Sequence, residues 1–72
     1  MKVYVVFWDR EWSCMVAAEN SKEAAHKLGI TDQYVRIHGG PTEKKELQEV
    51  AMASPDTVFR QRNRGGPWEK VL

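Results

Sequence analysis

Residues 2–18 read KVYVVFWDREWSCMVAA, two runs of β-branched, aromatic and small apolar residues that are separated by three charged ones. Runs of this composition on either side of a short polar break are typical of a β-hairpin. We therefore predict strands at 2–8 and 12–18, joined by a loop at 9–11. The rest of the sheet is expected to grow from this hairpin.

Both faces of the predicted hairpin are apolar, because side chains alternate between the two sides of a strand. On one side the expected register pairs Trp8 with Trp12, Val6 with Cys14 and Tyr4 with Val16. The other side carries Val3, Val5, Phe7, Met15 and Ala17. A single domain of 72 residues is too small to add a full layer to each side. Either the long loop and the C-terminus shield the second face, or another molecule does, most simply a second copy in a homodimer.

A short helix follows the hairpin. Asn20 and Glu23 have the spacing of a capping box ahead of a helix at 22–28. Gly29 is placed to end that helix, because glycine adopts the left-handed conformation common at helix C-termini.

The remainder of the chain predicts three strands and a second helix. Residues 33–38 alternate between apolar and polar positions, as in a half-exposed strand. Thr42 is placed to cap an amphipathic helix at 43–53, and segments 57–61 and 68–72 form a closing hairpin. The predicted class is α+β, a mainly antiparallel sheet of four or five strands with one or two helices on one face. The element order is β-β-α-β-(α)-β-β.

Charge and composition say more about the cellular compartment of the protein than about the identity of its binding partner. The formal net charge is +1, so no overall field attracts the protein to nucleic acid or to a membrane. The apolar run at 3–8 is too short for a signal-peptide core or a membrane span. The single cysteine, Cys14, cannot close an intramolecular disulfide, so we expect a reducing cytoplasm.

No residue pattern predicts catalysis, a metal or a cofactor. Cys14 needs an imidazole beside it to act as a nucleophile, and nothing in the sequence fixes His26 or His38 there. One cysteine and two histidines also lack the paired ligand spacing of a zinc site. We therefore expect a non-enzymatic protein without cofactor and interpret Cys14 as a small buried hydrophobe.

Basic residues concentrate near the C-terminus: residues 57–72 contain four basic side chains and one carboxylate. Candidate residues for binding a partner or nucleic acid are Arg36, His38, Arg60, Arg62, Arg64, Trp68 and Lys70. Guanidinium groups that share a strand face can grip phosphates or an acidic protein surface, and aromatic rings beside them can stack. The alternative is a solvated charged face paired with Glu69 and Asp56.

The hairpin tip is a second candidate, for a protein interface formed by Trp8, Arg10 and Trp12. Tryptophan and arginine are enriched among the residues that dominate binding energy at interfaces. The same two tryptophans can instead form a cross-strand pair that stabilises the hairpin. The two roles are compatible.

The segments Val3–Val6, Val16–Ala25 and Gly66–Trp68 resemble a type of small protein often encoded by bacteriophages and other mobile elements. These proteins have a hairpin, a helix with an Ala-x-Ser-x-x-x-Ala pattern and a strand meander ending in a lone tryptophan, and some anti-CRISPR proteins are similar in size and element order. The resemblance implies an inhibitor that occupies a surface of a host nucleoprotein in the host cytoplasm. The helix at 43–53 is an insertion relative to the simplest version, and no binding residue is carried over.

The sequence therefore favours a small interaction protein that binds a protein or nucleoprotein and not a membrane. The alternative is a nucleic-acid-binding module that uses the basic C-terminal hairpin. A third class, an enzyme built on Cys14 and a histidine, requires a thiol of lowered pKa.

Overall fold

Strands β1 (Lys2–Phe7) and β2 (Trp12–Ala18) form the predicted hairpin in a computed structural model, which describes residues 1–71. The register confirms the prediction, since Tyr4 pairs with Val16 and Val6 pairs with Cys14. The connecting turn is closed by Asp9, whose Oδ1 accepts hydrogen bonds from the backbone N–H groups of residues 11 and 12 at 2.7 and 2.8 Å.

Helix α1 (Ser21–Leu28) begins and ends on the residues that the sequence singled out. The Asn20 side chain accepts a hydrogen bond from the Glu23 N–H at 2.9 Å, and the Glu23 carboxylate accepts one from the Glu19 N–H at 3.4 Å. Gly29 ends the helix in the left-handed conformation, with φ of 73°. Strong local capping thus determined this element.

Helix α2 (Asp32–His38) occupies the segment for which we predicted a strand at 33–38, and that prediction is wrong. Thr31 caps the helix by accepting a hydrogen bond from the Tyr34 N–H at 3.1 Å. Val35 is fully buried, whereas Ile37 is 63% exposed. The two residues therefore lie on different sides of a helix that buries only one side. Their alternation with polar residues does not indicate a strand.

Strand β3 (Gly39–Pro41) follows directly and pairs antiparallel with β1 at the edge of the sheet. The backbone of Gly39 passes so close to β1 that a Cβ atom there would clash with the Val5 carbonyl oxygen. Gly40, one residue on, has open space at the same position. Close approach of two backbones is what requires the first glycine.

Helix α3 (Lys45–Ala53) confirms the second predicted helix but begins two residues later than expected. The N-cap position is Lys44 and not Thr42, and it has no side-chain capping bond. The Thr42 Oγ1 accepts a hydrogen bond from the Lys44 N–H at 3.3 Å, and the Thr42 N–H donates to the Val3 carbonyl at 2.8 Å, which extends the pairing with β1. Strands β4 (Phe59–Arg62) and β5 (Trp68–Lys70) then complete a five-stranded sheet of order β3-β1-β2-β4-β5. Leu72, the last residue of the predicted closing strand, lies outside the described residues.

Helices of the same chain bury the central part of the hairpin on both faces, whereas Phe7 at the end of β1 is 43% exposed. Helices α1 and α2 cover what we call the two-helix face, where the buried residues are Tyr4, Val6, Val16, Ala18, Ala24, Ala25 and Val35. Helix α3 covers the opposite face, which we call the α3 face, with Val3, Val5, Met15, Ala17, Ala51 and Phe59. The expectation that helices lie on one face only is therefore corrected. Of the two alternatives for the second face, the structure shows cover by the same chain, supplied by α3 where we named the long loop and the C-terminus. The homodimer stays a prediction.

Lys27 links three parts of the fold near the end of α1. Its ammonium donates hydrogen bonds to the carbonyls of Ala17 at 2.9 Å and Pro55 at 3.3 Å. The carboxylates of Glu23 and Asp56 lie 3.3 and 3.6 Å away. Charge-assisted hydrogen bonds to carbonyl oxygens thus tie α1 to β2 and to the loop that follows α3.

The two adjacent glycines of β3 provide a matched test of this packing. Gly39 has an extended backbone, with φ of −158°, so the cost of Gly39→Ala comes from the contact with β1 and not from backbone strain. We expect Gly39→Ala to lower the free energy of unfolding by about 1–3 kcal/mol. Gly40→Ala should change it by less than about 1 kcal/mol. Urea unfolding measures both, and equal effects would contradict the close approach.

Candidate functional site

Strands β4 and β5 form a half of the sheet that the helices leave open on the two-helix face. Helix α1 packs on β2, α2 on β1 and β3, and α3 on β1 and β2 from the other side. Arg60, Arg62 and Glu69 project from β4 and β5 on the two-helix face and are exposed. The open half is therefore lined by side chains that are accessible to a partner.

Two guanidinium groups lie over Trp12 on this open half. The β2–β4 register places Arg62 opposite Trp12 and Arg60 opposite Cys14. The Cζ atoms of Arg60 and Arg62 are 5.2 and 5.7 Å from the centre of the Trp12 ring. Distances of this order are typical of cation–π contacts, which orient the guanidinium groups without neutralising them.

A salt bridge fixes the hairpin tip to β4. The Nε and Nη2 atoms of Arg62 donate to one carboxylate oxygen of Glu11 at 3.2 and 3.0 Å. The Asn63 N–H donates to the Glu11 carbonyl at 2.6 Å. The loop that directly precedes Trp12 is thereby tied to the strand that carries the arginines, which keeps the ring and the cations close together.

An aromatic array borders the same region on the side of helix α2. The rings of Trp8 and Tyr34 have centroids 5.2 Å apart, and those of Tyr34 and His38 are 4.4 Å apart. The indole N–H of Trp8 donates to the sulfur of Cys14. We call Trp8, Trp12, Tyr34, Arg60 and Arg62 the Trp–Arg surface.

A groove of about 380 Å³ opens beside the Trp–Arg surface. Its floor is the open half of the sheet, and one wall is the C-terminal end of α1. The lining residues are Trp8, Asp9, Trp12, Cys14, Leu28, Val58, Arg60 and Val71. The groove is therefore mainly apolar, with one guanidinium and one carboxylate at its border.

Cys14 lies at the base of this groove as a half-buried free thiol. Burial raises the pKa of the Cys14 thiol above its ordinary value, and the hydrogen bond from Trp8 and the charge of Arg60 oppose this only in part. A thiol with a raised pKa is mostly protonated at neutral pH and is a poor nucleophile. Its environment fits the interpretation of a small hydrophobe.

The structure divides the predicted site residues between the two faces. Arg60, Arg62, Trp8 and Trp12 come together on the two-helix face. Arg64, Trp68 and Lys70 belong to the α3 face, where the Arg64 guanidinium lies 5.1 Å from the ring centre of Phe7. Trp68 packs against the buried cluster of that face, and Lys70 pairs with Phe59.

The remaining predicted residues lie around the edge of the two-helix face. His38 stacks on Tyr34, and Arg36 pairs with Asp32 at 3.4 Å along helix α2. Arg10 is exposed in the hairpin turn. The prediction of binding residues missed the apolar lining supplied by Leu28, Val58 and Val71. The packing of α1 on β2 brings Leu28 to the groove, and the pairing of β4 with β2 and β5 brings Val58 and Val71.

Comparisons with models of protein families, with curated proteins and with solved structures find no match to this chain. The function is therefore argued from the geometry of the groove and of the Trp–Arg surface. Within residues 1–71, no group of three or more His, Cys, Asp and Glu side chains is arranged to hold a metal ion. None of the helices in those residues is long and apolar enough to cross a bilayer.

The raised pKa of Cys14 predicts slow thiol chemistry and a defined pH dependence. Iodoacetamide should alkylate native Cys14 more slowly than the urea-unfolded thiol at the same pH. Because the folded state holds the proton more tightly, the free energy of unfolding should fall as pH rises past the ordinary thiol pKa, and Cys14→Ala should remove this decline. Mass spectrometry and urea unfolding measure the two effects. Faster alkylation of the native protein would instead support a reactive cysteine.

Proposed function

We propose that the protein is a non-catalytic interaction module that binds a partner protein through the Trp–Arg surface. The observation that carries this proposal is Trp12 with two guanidinium groups over it, next to a mainly apolar groove on a sheet half without a covering helix. Trp, Tyr and Arg are the residue types that most often dominate binding energy at protein interfaces. The Glu11–Arg62 salt bridge and the contacts of both guanidinium groups with Trp12 already orient these side chains, which reduces the conformational entropy lost upon binding.

The charge pattern favours a protein over a nucleic acid. Three carboxylates are interspersed with the cations: Asp9 borders the groove, Glu11 pairs with Arg62, and Glu69 lies across from Arg60. A chain of phosphates passing over this surface would meet those negative charges. A protein surface can present both signs of charge and apolar side chains, which suits the groove.

Nucleic-acid binding is the second candidate. It is favoured by the array of His38, Tyr34 and Trp8 next to two arginines, since bases stack on aromatic rings beside cations. It is weakened by the separation of Arg64 and Lys70 from Arg60 and Arg62, because the four cations of the C-terminal hairpin do not form one patch.

The resemblance to small phage-encoded proteins extends the proposal to an inhibitor of a host nucleoprotein that acts in the host cytoplasm. A free cysteine in the groove supports a reducing compartment. A second copy of this chain is a weaker candidate partner, since both hairpin faces are already buried.

Affinity capture tests the proposed function. The immobilised protein is incubated with nuclease-treated lysate of the organism that carries the sequence, and bound proteins are identified by mass spectrometry. Trp12→Ala should reduce recovery of the partner by about tenfold or more, as expected for a hot-spot residue. Arg64→Ala is the matched control on the α3 face and should leave recovery unchanged.

Two results would contradict this proposal. Equal recovery with Trp12→Ala and the wild type would exclude the Trp–Arg surface as the interface. Binding to a partner from untreated lysate but not from nuclease-treated lysate, with affinity falling steeply as salt rises, would favour the nucleic-acid alternative. Urea unfolding of each variant verifies that the fold is retained.

A further inference from the structure

We infer that the groove beside Trp8 and Trp12 binds an apolar side chain with a carboxylate next to it, so that the partner presents an apolar anchor with a single acidic group beside it. This inference rests on the proposed function and deepens it by naming the chemistry of the partner. It follows from which groups line the groove and which of them are already engaged within the protein.

The apolar part of the groove is suited to one large side chain. Leu28, Val58 and Val71 line it together with the ring of Trp8. A volume of about 380 Å³ is at the lower end of the range typical of small-molecule pockets. It therefore accommodates a leucine or phenylalanine side chain with its adjoining backbone, and burial of that side chain displaces water from apolar walls.

The cation presented to the occupant is Arg60. The guanidinium of Arg62 is already held by Glu11 at 3.0 Å, whereas no carboxylate of residues 1–71 lies at ion-pair distance from Arg60. Contact with Trp12 orients the Arg60 guanidinium but leaves its N–H donors without a carboxylate partner in those residues. A carboxylate beside the anchoring side chain would meet these donors directly.

The groups around Arg60 favour a carboxylate over a phosphate. Asp9 borders the groove, and its Oδ1 is held by two backbone N–H groups of the turn. Glu69 is the cross-strand neighbour of Arg60. A phosphate monoester carries more negative charge than a carboxylate and would be repelled more strongly by these two side chains.

Small probes test this chemistry without a known partner. N-acetyl-leucine, an anion at pH 7, is titrated into ¹⁵N-labelled protein, and N-acetyl-leucinamide, acetate and inorganic phosphate serve as comparison probes. The readout is the three indole N–H resonances, assigned from single Trp→Phe variants. Trp8 and Trp12 line the groove, whereas Trp68 packs in the cluster of the α3 face and is the internal control.

The expected result is a shift of the Trp8 and Trp12 resonances by N-acetyl-leucine, with Trp68 unchanged. The Kd for N-acetyl-leucine should be about tenfold lower than the Kd for N-acetyl-leucinamide, because one charge-assisted hydrogen bond contributes a difference of that size. Arg60→Gln should abolish this preference, and Arg60→Lys should keep part of it. Arg64→Gln removes a cation from the α3 face and should leave the preference for the acid over the amide unchanged.

Several results would overturn the inference. These are equal Kd values for the acid and the amide, equal shifts at Trp68, absence of shifts at Trp8 and Trp12 up to the solubility limit of the probe, or stronger shifts with phosphate. The proposed function is judged separately by affinity capture. If a partner is lost with Trp12→Ala but the probes show no preference for the carboxylate, the interface stands and only its acidic partner chemistry fails.

Discussion

The β1–β2 hairpin is apolar on both sides, and the placement of the helices follows from the need to cover it within one chain. The hairpin residues Val3, Val6, Met15 and Val16 are almost fully excluded from solvent, so apolar cover is needed on both sides of one ribbon. Residues 1–71 meet this need with three short helices, two on one face and one on the other. The helices pack on β1, β2 and β3. They therefore leave β4 and β5 uncovered on the two-helix face.

The candidate site is a consequence of that arrangement. The open half of the sheet places Arg60 and Arg62 over Trp12, and the end of α1 together with Trp8 forms a wall beside it. The fold already positions the side chains of the site. Asp9 closes the turn between β1 and β2, and the salt bridge between Glu11 and Arg62 fixes this turn to β4. Binding at such a prearranged surface requires little further ordering of side chains.

Local signals in the sequence were sufficient for the hairpin register and for α1, whose caps at Asn20 and Gly29 act within a few residues. They failed at α2, because the burial of Val35 and the exposure of Ile37 depend on where the helix packs. Arg60 and Arg62 could be identified as a pair on one strand face, but their place beside Trp12 required the pairing of β4 with β2. Arg64 and Lys70 lie on the α3 face, away from Arg60 and Arg62. This placement and the apolar lining of the groove depend on how distant segments pack together, which short-range sequence patterns do not encode.

The concentration dependence of urea unfolding tests whether one chain covers both faces of its own hairpin. If the cover is intramolecular, the midpoint of urea unfolding should stay the same over about a hundredfold range of protein concentration. If a second copy covers one of the faces, the midpoint should rise with concentration, because folding would then be linked to association. A rising midpoint would contradict the account.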